Sequence, residues 1–261
     1  MNTVLNRLYS DYLMPSRLAG YGRLLARAND EGYRQLSVRA FGAAVAAGAD
    51  GAAPGRCLVH RHDIDSDLRT AAKMFALEQK HGVAASYYFR LSTLDFGLMR
   101  EIEAAGGEAS YHYEEVADFA KEHHLHDPVE VRRRLPEIRK RFLENYTWIE
   151  SRLGRSMPTV ASHGDFVNRR LQVFNHEILN DHALRARCGI AWETYDAALL
   201  NHFDAYISDR PHPVYFHPFS PQSALGRHAR ICLLTHPVQW ETNWRESTRC
   251  NVRRLREQLA W

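Results

Sequence analysis

From Cys57 onward, short apolar or aromatic runs alternate with stretches whose apolar residues keep helical spacing. Cys57 to His62 reads as a strand. Ser66 to His81 reads as a helix, with Leu68, Ala72, Phe75 and Ala76 on one face and Gly82 as its C-terminal stop. Ala85 to Leu91 is an aromatic strand, Asp95 to Ala105 a helix closed by two glycines, and Glu108 to Tyr113 a strand. Asp127-Pro128 starts a long helical stretch, interrupted at Pro136, that ends at Gly154. Thr159 to Ser162, Ala205 to Ser208 and Ile231 to Thr235 follow as strands, with Asn168 to Asn180 helical between the first two. Upstream lie a helix from Tyr21 to Glu31, a strand from Tyr33 to Val38, a helix from Arg39 to Ala47 and a flexible loop from Gly48 to Gly55. A helix from Glu241 to Leu259 closes the chain, with Leu255 and Leu259 on one face. Strands alternating with helices of ~10–15 residues imply a parallel sheet. Six or more such units in a row favour a closed or nearly closed α/β barrel over an open doubly wound sheet. In such a barrel, functional residues collect at the C-terminal ends of the strands.

Polar residues stand at those ends. The first run stops in His60-Arg61-His62-Asp63-Ile64-Asp65, and Ser66 and Asp67 open the next helix. Two carboxylates at a strand end can divide the work of metal-assisted hydrolysis, one holding the ion and one handling a proton. The plain alternative is that Asp65, Ser66 and Asp67 cap the helix. Three later runs end in His112, His163 and His236. A neutral imidazole suits zinc or a similar ion. A strand-end histidine bonded to a backbone carbonyl is the ordinary alternative. Glu114 shares a side of its strand with His112 and is a possible extra ligand. Gly164, after His163, would let backbone approach a ligand, so that its N–H could face an oxyanion; an ordinary turn glycine is the other reading. His236 suits a general acid, or else anchors the turn before Pro237. Asp209, after the Ala205 to Ser208 strand, is the nearest carboxylate to hold it. His217 is a further pocket candidate. The cluster His123-His124-Leu125-His126 reads as exposed. Trp192, Trp240 and Trp244 fit either a sugar face or the core.

Fifteen histidines are the compositional oddity and point to metal and acid–base chemistry. A net charge of +3 is too small to argue for nucleic acid, and Arg132-Arg133-Arg134 reads as a solvated helix face. Four scattered cysteines (Cys57, Cys188, Cys232, Cys250) fit reduced thiols, neither a disulfide framework nor a zinc ribbon. No apolar stretch approaches ~18 residues and the N-terminus has no continuous apolar segment. The expectation is a cytoplasmic protein with no membrane span.

Together these segments resemble the polysaccharide deacetylase (NodB-homology) superfamily, the fourth carbohydrate esterase family, from about Tyr21 to Pro237. Arg61-His62-Asp63-Ile64-Asp65 looks like its first motif. Ser86-Tyr87-Tyr88-Phe89-Arg90, the Gly-Gly-Glu lead-in to His112, and Leu233-Leu234-Thr235-His236-Pro237 look like later landmarks. More narrowly, Arg-His-Asp-x-Asp, His-Tyr-Glu and Ser-His-Gly look like the branch found in bacterial O-antigen and surface-polysaccharide biosynthesis. The resemblance implies a distorted or incomplete (β/α) barrel of about seven parallel strands. It implies Asp63 as catalytic base, Asp65 and His112 as metal ligands, and His236 as the acid for the departing amine. Val116 stands where the family's second motif carries another histidine. The missing ligand must then come from His163 or Glu114. The arginine of the family's third motif has no evident counterpart.

The expectation is one domain spanning 1–261: N-terminal helices and first strand over 1–50, a motif-bearing core over 56–237, and a C-terminal helix over 238–261. Its expected cofactor is a divalent metal, foremost Zn2+. Its expected partner is an N-acetylated sugar on a nucleotide- or lipid-linked precursor, and the reaction is deacetylation. The rivals are a non-catalytic barrel that binds a glycan or a biosynthetic partner, and a hydrolase of another C–N bond such as a deformylase.

Overall fold

The computed structural model describes residues 3–48 and 55–261. Most of the loop expected over Gly48 to Gly55 lies outside the described residues. Nine strands form one curled, mostly parallel sheet. They are β1 (Arg34–Ser37), β2 (Cys57–Ile64), β3 (Ser86–Phe89), β4 (Glu108–Tyr113), β5 (Thr159–Ser162), β6 (Trp192–Glu193), β7 (Ala205–Asp209), β8 (Phe216–His217) and β9 (Arg230–Thr235). The order is β6-β5-β4-β3-β2-β9-β7-β8, with β1 paired to the N-terminal half of β2. Only the β7–β8 pair is antiparallel among the described strands. No pairing joins β6 to β8 among the described residues, so the curl is a half-barrel with two edges.

The strand pattern follows from burial on both faces. Every residue of β2, β3, β4 and β5 is buried, as expected for parallel strands covered by helices. Along β2, Leu58 joins an outer core with Tyr21, Leu24 and Leu25 of the helix Leu18–Asp30. Val59 joins an inner core with Val38, Phe41, Tyr88 and Ala161. That inner cluster makes an apolar floor. Above it the inward positions of β2 become Arg61 and Asp63, so polarity rises toward the C-terminal rim. A second outer core packs Tyr111, Tyr113 and Val116 against Ile138, Phe142 and Tyr146 of the helix Leu135–Leu153.

Several expectations need correction. The helix after β2 spans Leu68–His81, and its buried face is Thr70, Ala71, Met74, Phe75 and Glu78; Ala72 and Ala76 are exposed. The carboxylate of Glu78 turns this face inward, because it meets two tyrosines and a histidine there. The segment expected as one helix from Asn168 to Asn180 is two: a helix Phe166–Leu171 and a 3₁₀ helix Asn175–Asn180. Gln172, with φ of 51°, breaks it. The helix Glu115–Glu122 after β4 and the short strands β6 and β8 were not anticipated. The C-terminal helix spans Trp244–Ala260, and Leu255 and Leu259 are exposed on it.

Candidate metal centre

The turn after β2 separates its carboxylates. Asp67 adopts φ of 56°, left-handed backbone that few non-glycine residues take. It caps the next helix, accepting from Thr70 N and from Thr70 Oγ1. The capping alternative therefore holds for Asp67 and fails for Asp65, which turns into the rim. Asp65 Oδ1 is buried and has no hydrogen-bond partner among the described residues. Two ring nitrogens face it: His163 Nδ1 at 3.0 Å and His112 Nε2 at 3.3 Å. These nitrogens are 3.2 Å apart. Ligand atoms about 2.1 Å from one ion, roughly 100–110° apart, lie about 3.2–3.4 Å from one another. Asp65, His112 and His163 thus have the spacing of three ligands on one face of an ion, and they form a group able to hold one.

The tautomer of His112 agrees. His112 Nδ1 lies 2.9 Å from the Ala161 carbonyl, so it carries the proton and leaves Nε2 a free lone pair. The plain reading of His112 as a carbonyl-bonded strand end is true of one ring nitrogen and leaves the other for an ion. His163 is placed by its backbone. Its N–H donates to Tyr113 O at 2.8 Å, and its carbonyl accepts from Asn175 Nδ2 at 2.6 Å. Ser162 N donates to Glu193 at 2.8 Å, fixing the end of β5. Nothing in the local spacing marked Asn175 or Glu193 for this work. Burial opposes ionisation of Asp65, but His163 and His112 hold its carboxyl well below the usual range.

Asp63 lies behind this triad. Arg61 grips it with two hydrogen bonds, Nε to Oδ1 and a terminal nitrogen to Oδ2, both 2.8 Å. Burial would raise Asp63, and Arg61 followed by His112 keeps it below its ordinary value. The Asp63 side chain is only 3% exposed, against 28% for Asp65. Asp63 Oδ2 is 3.5 Å from His112 Nε2. Arg61 was passed over as a site residue, although an arginine two residues before an aspartate on one strand shares its face.

Glu114 is engaged by Arg90 through two hydrogen bonds and stays 4.0 Å from His163 Nε2. It groups with His163 and Asp165, not with Asp65 and His112. As an extra ligand of the triad it is therefore corrected to a carboxylate beside the outer edge of His163. Val116 is fully buried in the outer core, so a side chain at that position points away from the rim. The third nitrogen comes from β5 instead.

His236 Nδ1 lies 2.7 Å from Asp209 Oδ1, and its backbone N–H donates to Oδ2 at 2.7 Å. Trp240 Nε1 also donates to Oδ2, at 2.9 Å. Burial works against a charged ring, but Asp209 overcomes it, and His236 is pushed up to about 9. Asp65, His163, Gly164, Asp209 and His236 line one cavity of about 650 Å3. His217 does not line it; the residue is exposed on β8 and borders a neighbouring hollow, because the antiparallel turn carries it outward.

His62 also departs from the rim set. It faces outward with His60, into a layer closed by Glu78. His60, His62 and Glu78 are a second group able to hold an ion. Every polar atom of that group already has a partner in Gln35, Thr235, Tyr21 or Tyr87. Burial lowers His60 to about 3, so it is neutral. A satisfied network of this kind specifies a core.

His123, His124 and His126 are exposed as expected, Trp240 is buried, and Trp244 is exposed. The cysteines are free, and three of the four are buried. No helix among the described residues is long and apolar enough to cross a membrane. No protein-family model, curated protein or solved structure matches the chain.

Proposed function

We propose that this chain is a metal-dependent deacetylase that removes an N-acetyl group from a sugar. The observation that carries the reading is the convergence of Asp65 and His163, backed by the buried His112, with an Asp209-backed His236 on one cavity. Two imidazoles and one carboxylate suit zinc and leave positions open for substrate and water. When bound, such an ion supplies Lewis-acid polarisation of the amide carbonyl.

The remaining steps belong to side chains. Water adds to the carbonyl carbon, and its proton passes to Asp63. A carboxylate has about four lone-pair positions, so the two bonds from Arg61 leave room for it. Arg61 also fixes the direction of Asp63, which limits the search for a productive geometry. His236, charged and oriented by Asp209, donates its Nε2 proton to the nitrogen as the C–N bond breaks. Acetate and an amino sugar leave. The motif resemblance supports a substrate from surface-polysaccharide (O-antigen) assembly. The deep burial of Asp63 favours a second reading, in which the same cavity binds a glycan precursor without hydrolysing it.

The test is acetate release from N-acetylated sugar precursors by protein loaded with zinc. The reading expects release that stops on chelation and in Asp65→Asn. Binding without release, at any metal loading, would favour the non-catalytic reading; release of formate in place of acetate would favour a deformylase.

A further inference from the structure

The cavity above the metal centre has an arginine wall. Arg169, Arg210 and Arg254 line it, and none has a carboxylate within 4.0 Å among the described residues. Other arginines of this cavity are paired, Arg90 with Glu114 and Arg253 with Glu257. Three exposed guanidinium groups without a carboxylate partner leave positive potential along this wall, because Asp11, Asp165 and Glu257 of the same cavity pair with other cations. Arg254 feels this. Burial, and then the charges of Arg7 and Arg169, hold it below its ordinary value against the pull of Asp11.

A second hollow of about 660 Å3 adjoins the first. The two share Arg7, Asp11, Arg210, Pro211, Gln239 and Arg254, so Arg210 and Arg254 stand at their junction, where Asp11 is taken up by Arg7 and Asn251. The far wall of the second hollow is His212, Pro213, Val214 and His217. The His212 ring is held in place, tilted by 51° against Tyr9 with centroids 4.5 Å apart and hydrogen-bonded at 2.9 Å to Tyr215. Fixed flat rings with polar edges suit a planar heterocycle. Asn6, Ser10 and Asp11 offer hydrogen bonds at the border of this mostly apolar hollow, as a flat base on a hydroxylated sugar requires.

The order along the surface is therefore metal centre, arginines, then a mostly apolar hollow with polar groups at its border. We propose that the substrate sugar is carried on a nucleoside diphosphate, with the diphosphate at Arg210 and Arg254 and the nucleoside in the second hollow. This rests on the reading of the first cavity as the sugar site. Arginine is suited to the diphosphate because its planar fork pairs two oxygens at once.

The test is calorimetric titration of the full chain with UDP, GDP and inorganic pyrophosphate. At least one nucleoside diphosphate should bind with Kd below ~1 mM and more tightly than pyrophosphate. Arg210→Ala and Arg254→Ala should each weaken it about tenfold, and added salt should weaken it further. Metal-free protein, prepared by chelation, should bind it as zinc-loaded protein does, so failure of the metal reading leaves this result standing. Binding that survives both arginine substitutions, or that disappears on chelation, would overturn the proposal. So would the absence of binding by every nucleotide tried, or tighter binding of farnesyl diphosphate than of any nucleotide, which would point to a lipid carrier.

Discussion

Asp65 and Asp67 are two residues apart and do different work. Asp67 caps a helix; Asp65 leaves a buried oxygen without a hydrogen bond beside two imidazoles. Only the backbone decides which aspartate does which, and the left-handed turn at Asp67 is not visible in a motif. That three later runs end in histidine was legible, because a parallel sheet brings strand ends together. Arg61 and the outward turn of His62 were readable from the alternation of side chains along a strand. The division between Asp63 and Asp65 can be tested directly. Asp65→Asn should lose both the ion and activity. Asp63→Asn should keep the ion and lose ~10²–10⁴-fold in rate. Equal metal loss in both, by elemental analysis, would reassign Asp63 to the ion. His236 supplies a pH test. An acid works while protonated, so activity should fall as pH rises through about 9. Asp209→Asn removes the main support of the charge and should move that limb down toward the ordinary histidine value near 6.5. An unmoved limb would free His236 from the acid role.

At the scale of elements, strands were easier to place than helix faces. β3 and β9 fall where the aromatic and apolar runs put them, because a fully buried strand tends to a continuous apolar signature. The helix Leu68–His81 was misread by face, since Glu78 is an acidic residue on its buried side. Its oxygens accept from His62, Tyr21 and Tyr87, which lie on other elements of the chain. Glu78→Ala should strand those donors and cost at least about 3 kcal/mol in urea unfolding, given ~1–3 kcal/mol per buried group. A loss near zero would show that water replaces the carboxylate. The helix Glu115–Glu122 carries a second test. Glu115 Oε2 is buried without a partner, and burial raises this carboxyl to about 7 despite hydrogen bonds from Asn145 and Tyr111. A raised carboxyl contributes stability that is whole below its unfolded value near 4.5 and is lost as pH climbs through about 7. Glu115→Gln should flatten that dependence. Above pH ~7 it should be more stable than the wild type, by roughly 3 kcal/mol. Parallel stability curves for the two proteins would contradict the shift.

At the scale of the whole molecule, helix–strand alternation led to a closed or nearly closed α/β barrel, and the sheet curls only to a half-barrel with two edges among the described residues. The antiparallel β8 was hidden because two residues leave no period to read. Charge in this fold is layered. An apolar floor at Val38, Phe41 and Val59 lies under the Arg61–Asp63 pair, and the Asp65, His112, His163 triad sits above that pair at the rim. Such a gradient places the site's polar groups next to low-dielectric material, where pairing matters most. Anomalous scattering from a crystal of protein purified without added metal would test the whole account. The predicted result is one divalent ion within ~2.0–2.3 Å of Asp65, His112 and His163. An ion held instead by His60, His62 and Glu78, or Asp65 and His112 side chains more than about 6 Å apart in a metal-soaked crystal, would contradict it.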